Sequence, residues 1–91
     1  MNRHVRILVE GLVQGVFFRD YTRRKAQSLK IKGTVKNLRN GSVEIEAQGQ
    51  IQEIESLIQW CREGSPLSQV EDVKVEELSI KEGISSFTIT Y

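Results

Sequence analysis

Apolar and polar residues alternate near the start of the chain. In the run HVRILVE, residues 4–10, the side chains of Val5, Ile7 and Val9 fall on one side and mainly polar side chains fall on the other. This alternation predicts a β-strand that is covered on one face.

A helical period follows this strand, from Arg19 to about Lys30. The inward stripe of the predicted helix consists of Phe18, Thr22, Ala26 and Leu29. The basic run RRK, residues 23–25, falls largely outside this stripe, which favours a solvated helix face over a nucleic-acid contact. Asp20 lies in the predicted first turn, where the helix dipole favours a carboxylate.

A hairpin is predicted in the segment TVKNLRNGSVEIEAQG, residues 34–49. The dipeptide Asn40-Gly41 suits the positive φ angles of a type I′ turn. Val43, Ile45 and Ala47 alternate with polar residues after the turn, and Val35 lies near the middle of the arm before it.

A second helix and two further strands complete the pattern. The apolar stripe of this helix consists of Ile51, Ile54, Leu57, Ile58 and Cys61. Gly64 and Pro66 follow it as a helix stop and a turn. The run VEDVKVEEL, residues 70–78, predicts a strand with Val73 and Val75 inward, and SFTITY, residues 86–91, predicts a short final strand.

The predicted order of elements is β-α-β-β-α-β followed by a short C-terminal strand. This is the split βαβ pattern of a ferredoxin-like sandwich, an α+β fold with a mixed sheet that two helices cover on one face. All seven glycines fall between the predicted elements. We expect a single domain spanning residues 1–91.

Composition narrows the class of protein. The 13 Lys and Arg residues nearly balance the 12 Asp and Glu residues, which argues against a general polyanion binder. Cys61 has no partner for a disulfide, and no signal peptide or apolar run of membrane-spanning length is visible. We therefore expect a cytoplasmic monomer that binds neither nucleic acid nor a membrane.

The connection between the first strand and the first helix, GLVQGVFFR at residues 11–19, has features of an anion-binding loop. Its glycines let the backbone approach a ligand, and N–H groups leading into a helix N-terminus attract phosphate. Arg19 adds a guanidinium fork suited to phosphate oxygens. The topology places Asn37 at the same edge of the sheet. Glycine-rich strand-to-helix turns are also common structural connections, so the residues alone leave both interpretations open.

The same loop resembles the acylphosphatase family signature, G-x-V-Q-G-V-x-[FY]-R. The segment GTVKN, residues 33–37, with the turn at Asn40-Gly41, is similar to the second signature of that family, and GSP at residues 64–66 is similar to the turn after its second helix. The resemblance extends over essentially the whole chain.

The chain departs from the family pattern at three positions. Thr34 replaces a usual aromatic residue, and Asn40 replaces the aspartate of an Asp-Gly turn. Phe17 occupies a variable position that often holds a smaller residue. Neither Arg19 nor Asn37 is affected.

The resemblance implies hydrolysis of the mixed anhydride between a carboxylic acid and phosphate, without a metal or a cofactor. The implied partner is a small-molecule acyl phosphate. By the same resemblance, Asn37 orients the attacking water and Arg19 holds the phosphoryl group. The backbone N–H groups implied to share that role are those of Gln14, Gly15, Val16, Phe17, Phe18 and Arg19.

Two rival functions stay open at this stage. One is a non-catalytic sensor of a phosphate ligand, and the other is an RNA-binding module on the same fold, which would need stacking aromatic residues on the central strands. The only histidine, His4, lies at the start of the first strand, and Cys61 lies on an apolar helix stripe. We interpret both as structural residues.

Overall fold

The computed structural model describes residues 1–91, and its elements follow the predicted order. The strands are β1 (Asn2–Leu12), β2 (Lys32–Asn37), β3 (Val43–Gln50), β4 (Gln69–Leu78) and β5 (Phe87–Ile89), and the helices are α1 (Phe18–Ser28) and α2 (Ile51–Glu63). The predicted ferredoxin-like α+β fold is therefore confirmed, with β5 as the short C-terminal strand.

All five strands form one mixed sheet in the order β4-β1-β3-β2-β5. Strand β3 lies between β1 and β2 and is antiparallel to both, so β1 and β2 run in the same direction. Strand β5 pairs in parallel with β2. The loop after β1 and the end of β2 at Asn37 consequently lie at the same edge of the sheet, as the sequence predicted.

The hydrophobic core lies between one face of the sheet and the two helices. The central strands contribute fully buried side chains from Val5, Ile7, Val9, Val43, Ile45 and Ala47. The buried side chains of the helices are Phe18, Thr22, Ala26, Ile54, Leu57, Ile58 and Cys61. Burial raises the pKa of the Cys61 thiol to about 12, which fits a structural cysteine rather than a reactive one.

Three glycines lie within strands rather than between elements, which corrects the prediction. They are Gly11 in β1, Gly33 in β2 and Gly49 in β3. Gly11 follows a β-bulge and has a φ of 128°, and Gly33 has a φ of 144°. A Cβ atom at Gly33 would collide with the carbonyl oxygen of Glu46, so close strand approach requires glycine there.

The turn between β2 and β3 is not type I′ as predicted. Gly41 has a φ of 95°, but Asn40 is not among the residues with positive φ. The Gly41 N–H donates to the Leu38 carbonyl at 3.2 Å, and the Asn40 side-chain oxygen accepts from the Ser42 N–H at 3.0 Å. The turn is thus closed one residue earlier, with glycine at its last position.

Three smaller predictions are also wrong. Val75 is 37% exposed because it belongs to the edge strand β4, and Ile51 is 44% exposed because it is the first residue of α2. Helix α1 ends at Ser28 rather than near Lys30, since Lys30 has a φ of 57° and cannot continue a right-handed helix.

Candidate active site

The loop between β1 and α1 carries two residues with positive φ just before the helix. Gly15 has a φ of 75°, and Phe17, at the N-cap of α1, has a φ of 62°. A Cβ atom at Gly15 would meet no atom within 4 Å, so its backbone angle rather than close packing favours glycine. No side chain caps the start of the helix.

The backbone N–H groups of residues 14–20 donate no hydrogen bond within the protein. The first bond of the helix runs from the Tyr21 N–H to the Phe17 carbonyl at 3.1 Å. Unpaired N–H groups at the N-terminus of an 11-residue helix lie at the positive end of its dipole. This stretch of backbone can therefore bind an anion.

Other groups of the same loop are tied to neighbouring loops. The Gln14 Nε2 atom donates to the carbonyls of Leu38 at 2.7 Å and Ser42 at 2.9 Å, in the β2–β3 turn. The buried Ser65 hydroxyl donates to the Val16 carbonyl at 3.0 Å. The loop is thus held in place by a side chain and a carbonyl, while its N–H groups are left for a ligand.

Arg19 and Asn37, the two side chains implied by the resemblance, line one cleft of about 290 Å³. Arg19 makes no hydrogen bond or salt bridge, and its Cζ atom lies 5.0 Å from the centre of the Tyr91 ring. The Oδ1 atom of Asn37 is buried and has no hydrogen-bond partner. An unpaired buried acceptor destabilises a protein by about 1–3 kcal/mol, so a donor at this position would be favourable.

Asp20 also lines this cleft, but its negative charge is paired. Its carboxylate forms salt bridges with Arg23 at 2.6 Å and Arg24 at 2.7 Å, both on the same helix. These pairs reduce the repulsion that Asp20 would exert on an anion beside Arg19. They also give the basic run on α1 a local partner, in keeping with a solvated helix face.

Several residues that shape the cleft or its loop were not predicted from the sequence: Val13 and Asp20, which flank the predicted phosphate-binding stretch, and three residues on other parts of the chain. Tyr91 and Ile89 line the cleft from the β5 end of the sheet, and Ser65 anchors the loop. The pairing of β5 with β2 explains the positions of Tyr91 and Ile89, because it places the end of β5 beside the end of β2. The sequence predicted the short final strand that leads to Ile89 and Tyr91, but it did not predict that this strand pairs with β2.

Other features of the molecule lie apart from this cleft. His4 is buried, and its Nδ1 atom lies 2.6 Å from the Ser79 carbonyl, beyond the end of β4. A larger cleft of about 650 Å³ contains neither Arg19 nor Asn37 and is lined by exposed lysine and glutamate side chains among others. No cluster of His, Cys, Asp or Glu suits a metal ion. Neither helix has the length and apolar character needed to cross a membrane.

Known proteins of one family resemble this chain in both sequence and structure. The family model for acylphosphatase matches residues 5–89. An acylphosphatase of Rubrobacter xylanophilus is 44% identical over 87 residues, with 96% of this chain and 79% of the relative covered. One of Shewanella amazonensis is 46% identical, with 97% of each covered. The crystal structure of the acylphosphatase from Bacillus subtilis matches with a TM-score of 0.94 at 41% identity, over 100% of both chains.

Proposed function

Because the chain belongs to the acylphosphatase family of enzymes, we propose that it hydrolyses acyl phosphates by direct attack of water on phosphorus. The N–H groups of residues 14–19 and the Arg19 guanidinium hold the phosphoryl group, and Asn37 orients the water. One observation carries this proposal: the residues that line a single cleft include Gly15 and residues 17–19, whose N–H groups are unpaired, together with the free guanidinium of Arg19 and the unpaired carboxamide of Asn37.

The phosphoryl group binds through charge and hydrogen-bond geometry. Its oxygens carry the negative charge that develops as the bond to the acyl oxygen breaks, and fixed N–H donors stabilise that charge without rearranging. Arg19 can donate two parallel hydrogen bonds to two of these oxygens. Its lack of an acidic partner within the protein supports this role, because no ion pair has to break first.

Asn37 acts on the water rather than on the phosphate. A neutral carboxamide cannot remove a proton at physiological pH, but its oxygen can accept a hydrogen bond and align the water with phosphorus. The water oxygen forms a bond to phosphorus while the bond from phosphorus to the acyl oxygen breaks. The carboxylate leaves with that electron pair, and the proton of the water passes to a phosphoryl oxygen. No strong base is needed because a carboxylate is a good leaving group.

No metal takes part in this proposed reaction. The positive charge for the phosphoryl oxygens comes from the Arg19 guanidinium and from the partial positive charge at the N-terminus of α1, and both belong to the chain itself. We therefore expect hydrolysis to continue undiminished when EDTA is present.

Hydrolysis of benzoyl phosphate in EDTA tests the proposal. Arg19→Ala and Asn37→Ala should each lower kcat/KM by about a hundredfold or more, the usual effect of losing a group that acts in the transition state. Asn37→Ala should keep its affinity for inorganic phosphate, whereas Arg19→Ala should lose it. The matched controls are Arg62→Ala, in the last turn of α2, and Asn2→Ala, at the start of β1; both residues are exposed, and neither lines the cleft. Near-normal turnover in either site variant would contradict the assignment.

The same experiments separate the two rival functions. A phosphate sensor would be protected by inorganic phosphate against thermal unfolding but would hydrolyse no acyl phosphate. An RNA-binding module would slow the migration of RNA in a gel-shift assay, and this binding would weaken as the salt concentration rises. The open face of the sheet argues against RNA binding. On this face Arg6 lies within 4 Å of carboxylates from Glu44, Glu46 and Glu76, and not beside aromatic rings on which bases could stack.

A further inference from the structure

We infer that Ser65, in the turn after α2, is a positioning residue for the phosphate site, because it fixes the orientation of the peptide group between Val16 and Phe17. This inference rests on the proposed function, since that peptide carries one of the N–H groups proposed to hold the phosphoryl group. Ser65 does not line the cleft, so its effect on the reaction is indirect.

The hydrogen bond from Ser65 determines which way this peptide group faces. The Ser65 hydroxyl donates to the Val16 carbonyl at 3.0 Å. The peptide bonds of the chain are all trans, and in a trans peptide the C=O and N–H groups point in opposite directions. The Phe17 N–H therefore points away from Ser65, and it has no acceptor within the protein. Because Phe17 lines the cleft and Ser65 does not, this direction suits an N–H group that binds a phosphoryl oxygen.

The backbone of Phe17 indicates that this orientation has to be held in place. Phe17 has a φ of 62° and a ψ of 23°, a left-handed conformation that is strained for a bulky residue. Rotating the peptide between Val16 and Phe17 by half a turn changes the ψ of Val16 and the φ of Phe17 but leaves the path of the chain intact. The φ of Phe17 would then be about −120°, near the bridge region that non-glycine residues can adopt. The strain at Phe17 therefore favours a flipped peptide.

The hydrogen bond from Ser65 opposes this flip. After the flip the buried Ser65 hydroxyl would lose the carbonyl to which it donates, and it makes no other hydrogen bond as a donor. The Val16 carbonyl would face the cleft in place of the Phe17 N–H. Its oxygen carries partial negative charge and would repel a phosphoryl oxygen, whereas the N–H attracts one. Ser65 thus keeps a donor in the phosphate site and an acceptor out of it.

The turn that carries Ser65 holds the hydroxyl in a fixed position. Ser65 is 3% exposed, and its carbonyl accepts hydrogen bonds from the Ser68 N–H at 3.0 Å and the Ser68 hydroxyl at 2.7 Å. Gly64 has a φ of 80°, and a Cβ atom there would collide with the Ser68 Oγ atom. The position of the hydroxyl is therefore set by its own turn and not by the loop that it contacts.

The residues on either side of the peptide are also fixed, so the flip is confined to one peptide group. On one side, the Gln14 side chain donates to two carbonyls of the β2–β3 turn. On the other side, Phe18 is buried, and the centre of its ring lies 5.3 Å from that of the Trp60 ring. Trp60 belongs to the last turns of α2, so the end of this helix and the turn after it support the loop at two points.

The affinity for inorganic phosphate and the kcat/KM for acetyl phosphate test the inference. Ser65→Ala should weaken phosphate binding and lower kcat/KM, each by about tenfold, since it removes a hydrogen bond together with the orientation that the bond fixes. Ser28→Ala is the matched control. It also removes a hydrogen bond from a serine hydroxyl to a carbonyl, at 2.7 Å, but at the far end of α1, and Ser28 does not line the cleft.

A second substitution at residue 17 distinguishes peptide orientation from general stability. Adding Phe17→Gly to Ser65→Ala should restore phosphate affinity to within about threefold of the unchanged protein, since glycine adopts the left-handed conformation without strain. Adding Phe17→Ala removes the same ring but keeps a Cβ atom and therefore the strain, so it should restore nothing. A mere loss of packing around Ser65 would not be corrected by glycine at residue 17.

Ser65→Cys provides the same test if Ser65→Ala does not fold. The thiol is close to the hydroxyl in size but is a weaker donor, so phosphate affinity should fall by about threefold or more, and Phe17→Gly should again restore it.

The outcomes distinguish failure of this role from failure of the proposed function. Unchanged phosphate affinity in Ser65→Ala, or equal affinities after Phe17→Gly and Phe17→Ala are added to it, would overturn the role of Ser65 and leave acyl phosphate hydrolysis intact. If the unchanged protein neither bound phosphate nor hydrolysed acetyl phosphate, the proposed function itself would fall.

Discussion

The two ends of helix α1 use their backbone N–H groups in opposite ways. After the helix, the Leu29 N–H donates to the carbonyls of Lys25 and Ala26, and the Ile31 N–H donates to the Ala26 carbonyl at 2.9 Å. In the loop before the helix and in its first turn, the N–H groups of residues 14–20 donate to nothing within the protein. One end is therefore closed by its own hydrogen bonds, and the other end presents donors.

Backbone strain does not distinguish these ends. Each has one non-glycine residue with positive φ, Phe17 at 62° and Lys30 at 57°. The difference lies in hydrogen bonding and in the direction of the helix dipole, whose positive end is at the N-terminus. Unpaired donors, rather than an unusual backbone angle, therefore distinguish the end of this helix that we propose binds phosphate.

The largest loss of stability is expected from a substitution at Gly33 in β2, the strand that follows the closed, C-terminal end of α1. In Gly33→Ala the new Cβ atom would collide with the Glu46 carbonyl, at a φ of 144°. We expect a loss of about 4 kcal/mol or more in the free energy of unfolding, measured with urea. Gly15→Ala, at the open end, meets no atom and should lose only about 1–2 kcal/mol through its positive φ. Equal losses in the two variants would contradict this account of the glycines.

Arg19→Lys is the sharpest test of the donor geometry at the open end. Lysine keeps the positive charge but lacks the planar fork, so we expect kcat/KM for benzoyl phosphate to fall about a hundredfold. The melting temperature should be unchanged because Arg19 forms no salt bridge or hydrogen bond within the protein. Arg62→Lys is the matched control for the charge-conserving change. Activity within threefold of the unchanged protein would show that charge alone suffices.

Gln14→Ala tests whether the loop has to be anchored. The substitution removes two hydrogen bonds to carbonyls of the β2–β3 turn, which should lower stability by about 1–2 kcal/mol and lower activity as the loop loosens. Gln48→Ala also removes two hydrogen bonds, both to the backbone of Lys81, away from the cleft. Its stability should fall by a similar amount while its activity is retained. A parallel loss of activity in both variants would reduce the role of Gln14 to general stability.

Lys30→Gly should produce the smallest effect, and a favourable one. Glycine adopts the positive φ of this position without strain, so the free energy of unfolding should rise by about 0.5–1 kcal/mol. Turnover should stay the same, because the proposed mechanism gives the closed end of α1 no role in the reaction. Thermal and urea unfolding measure the gain, and a loss of stability would show that the Lys30 side chain stabilises the fold in some other way.

Local patterns predicted most of the fold and part of the site. The alternation of Val5, Ile7 and Val9 correctly predicted the face of β1 that packs into the core, because a strand buried on one face carries apolar residues at every second position. The loop signature identified Arg19 and Asn37, which the structure places in one cleft. Their chemical roles stay a proposal.

Tertiary arrangement decided what local patterns did not. Tyr91 approaches Arg19 only because β5 pairs with β2. The sequence pattern near residue 91 does not indicate which strand β5 pairs with. Val75 follows the inward alternation but belongs to an edge strand, so its exposure depends on what lies beside β4. The turn type at Asn40-Gly41 depended on which carbonyl closes the turn, and the dipeptide alone does not determine that.

A titration with inorganic phosphate, followed by the backbone amide resonances in NMR spectra, tests the central claim most directly. We predict saturable shifts of the N–H signals of residues 14–19, with the signals of residues 29–31 unchanged, and loss of the response in Arg19→Ala. No shift at residues 14–19, or equal shifts at both ends of α1, would contradict the claim that the open end is the phosphate site.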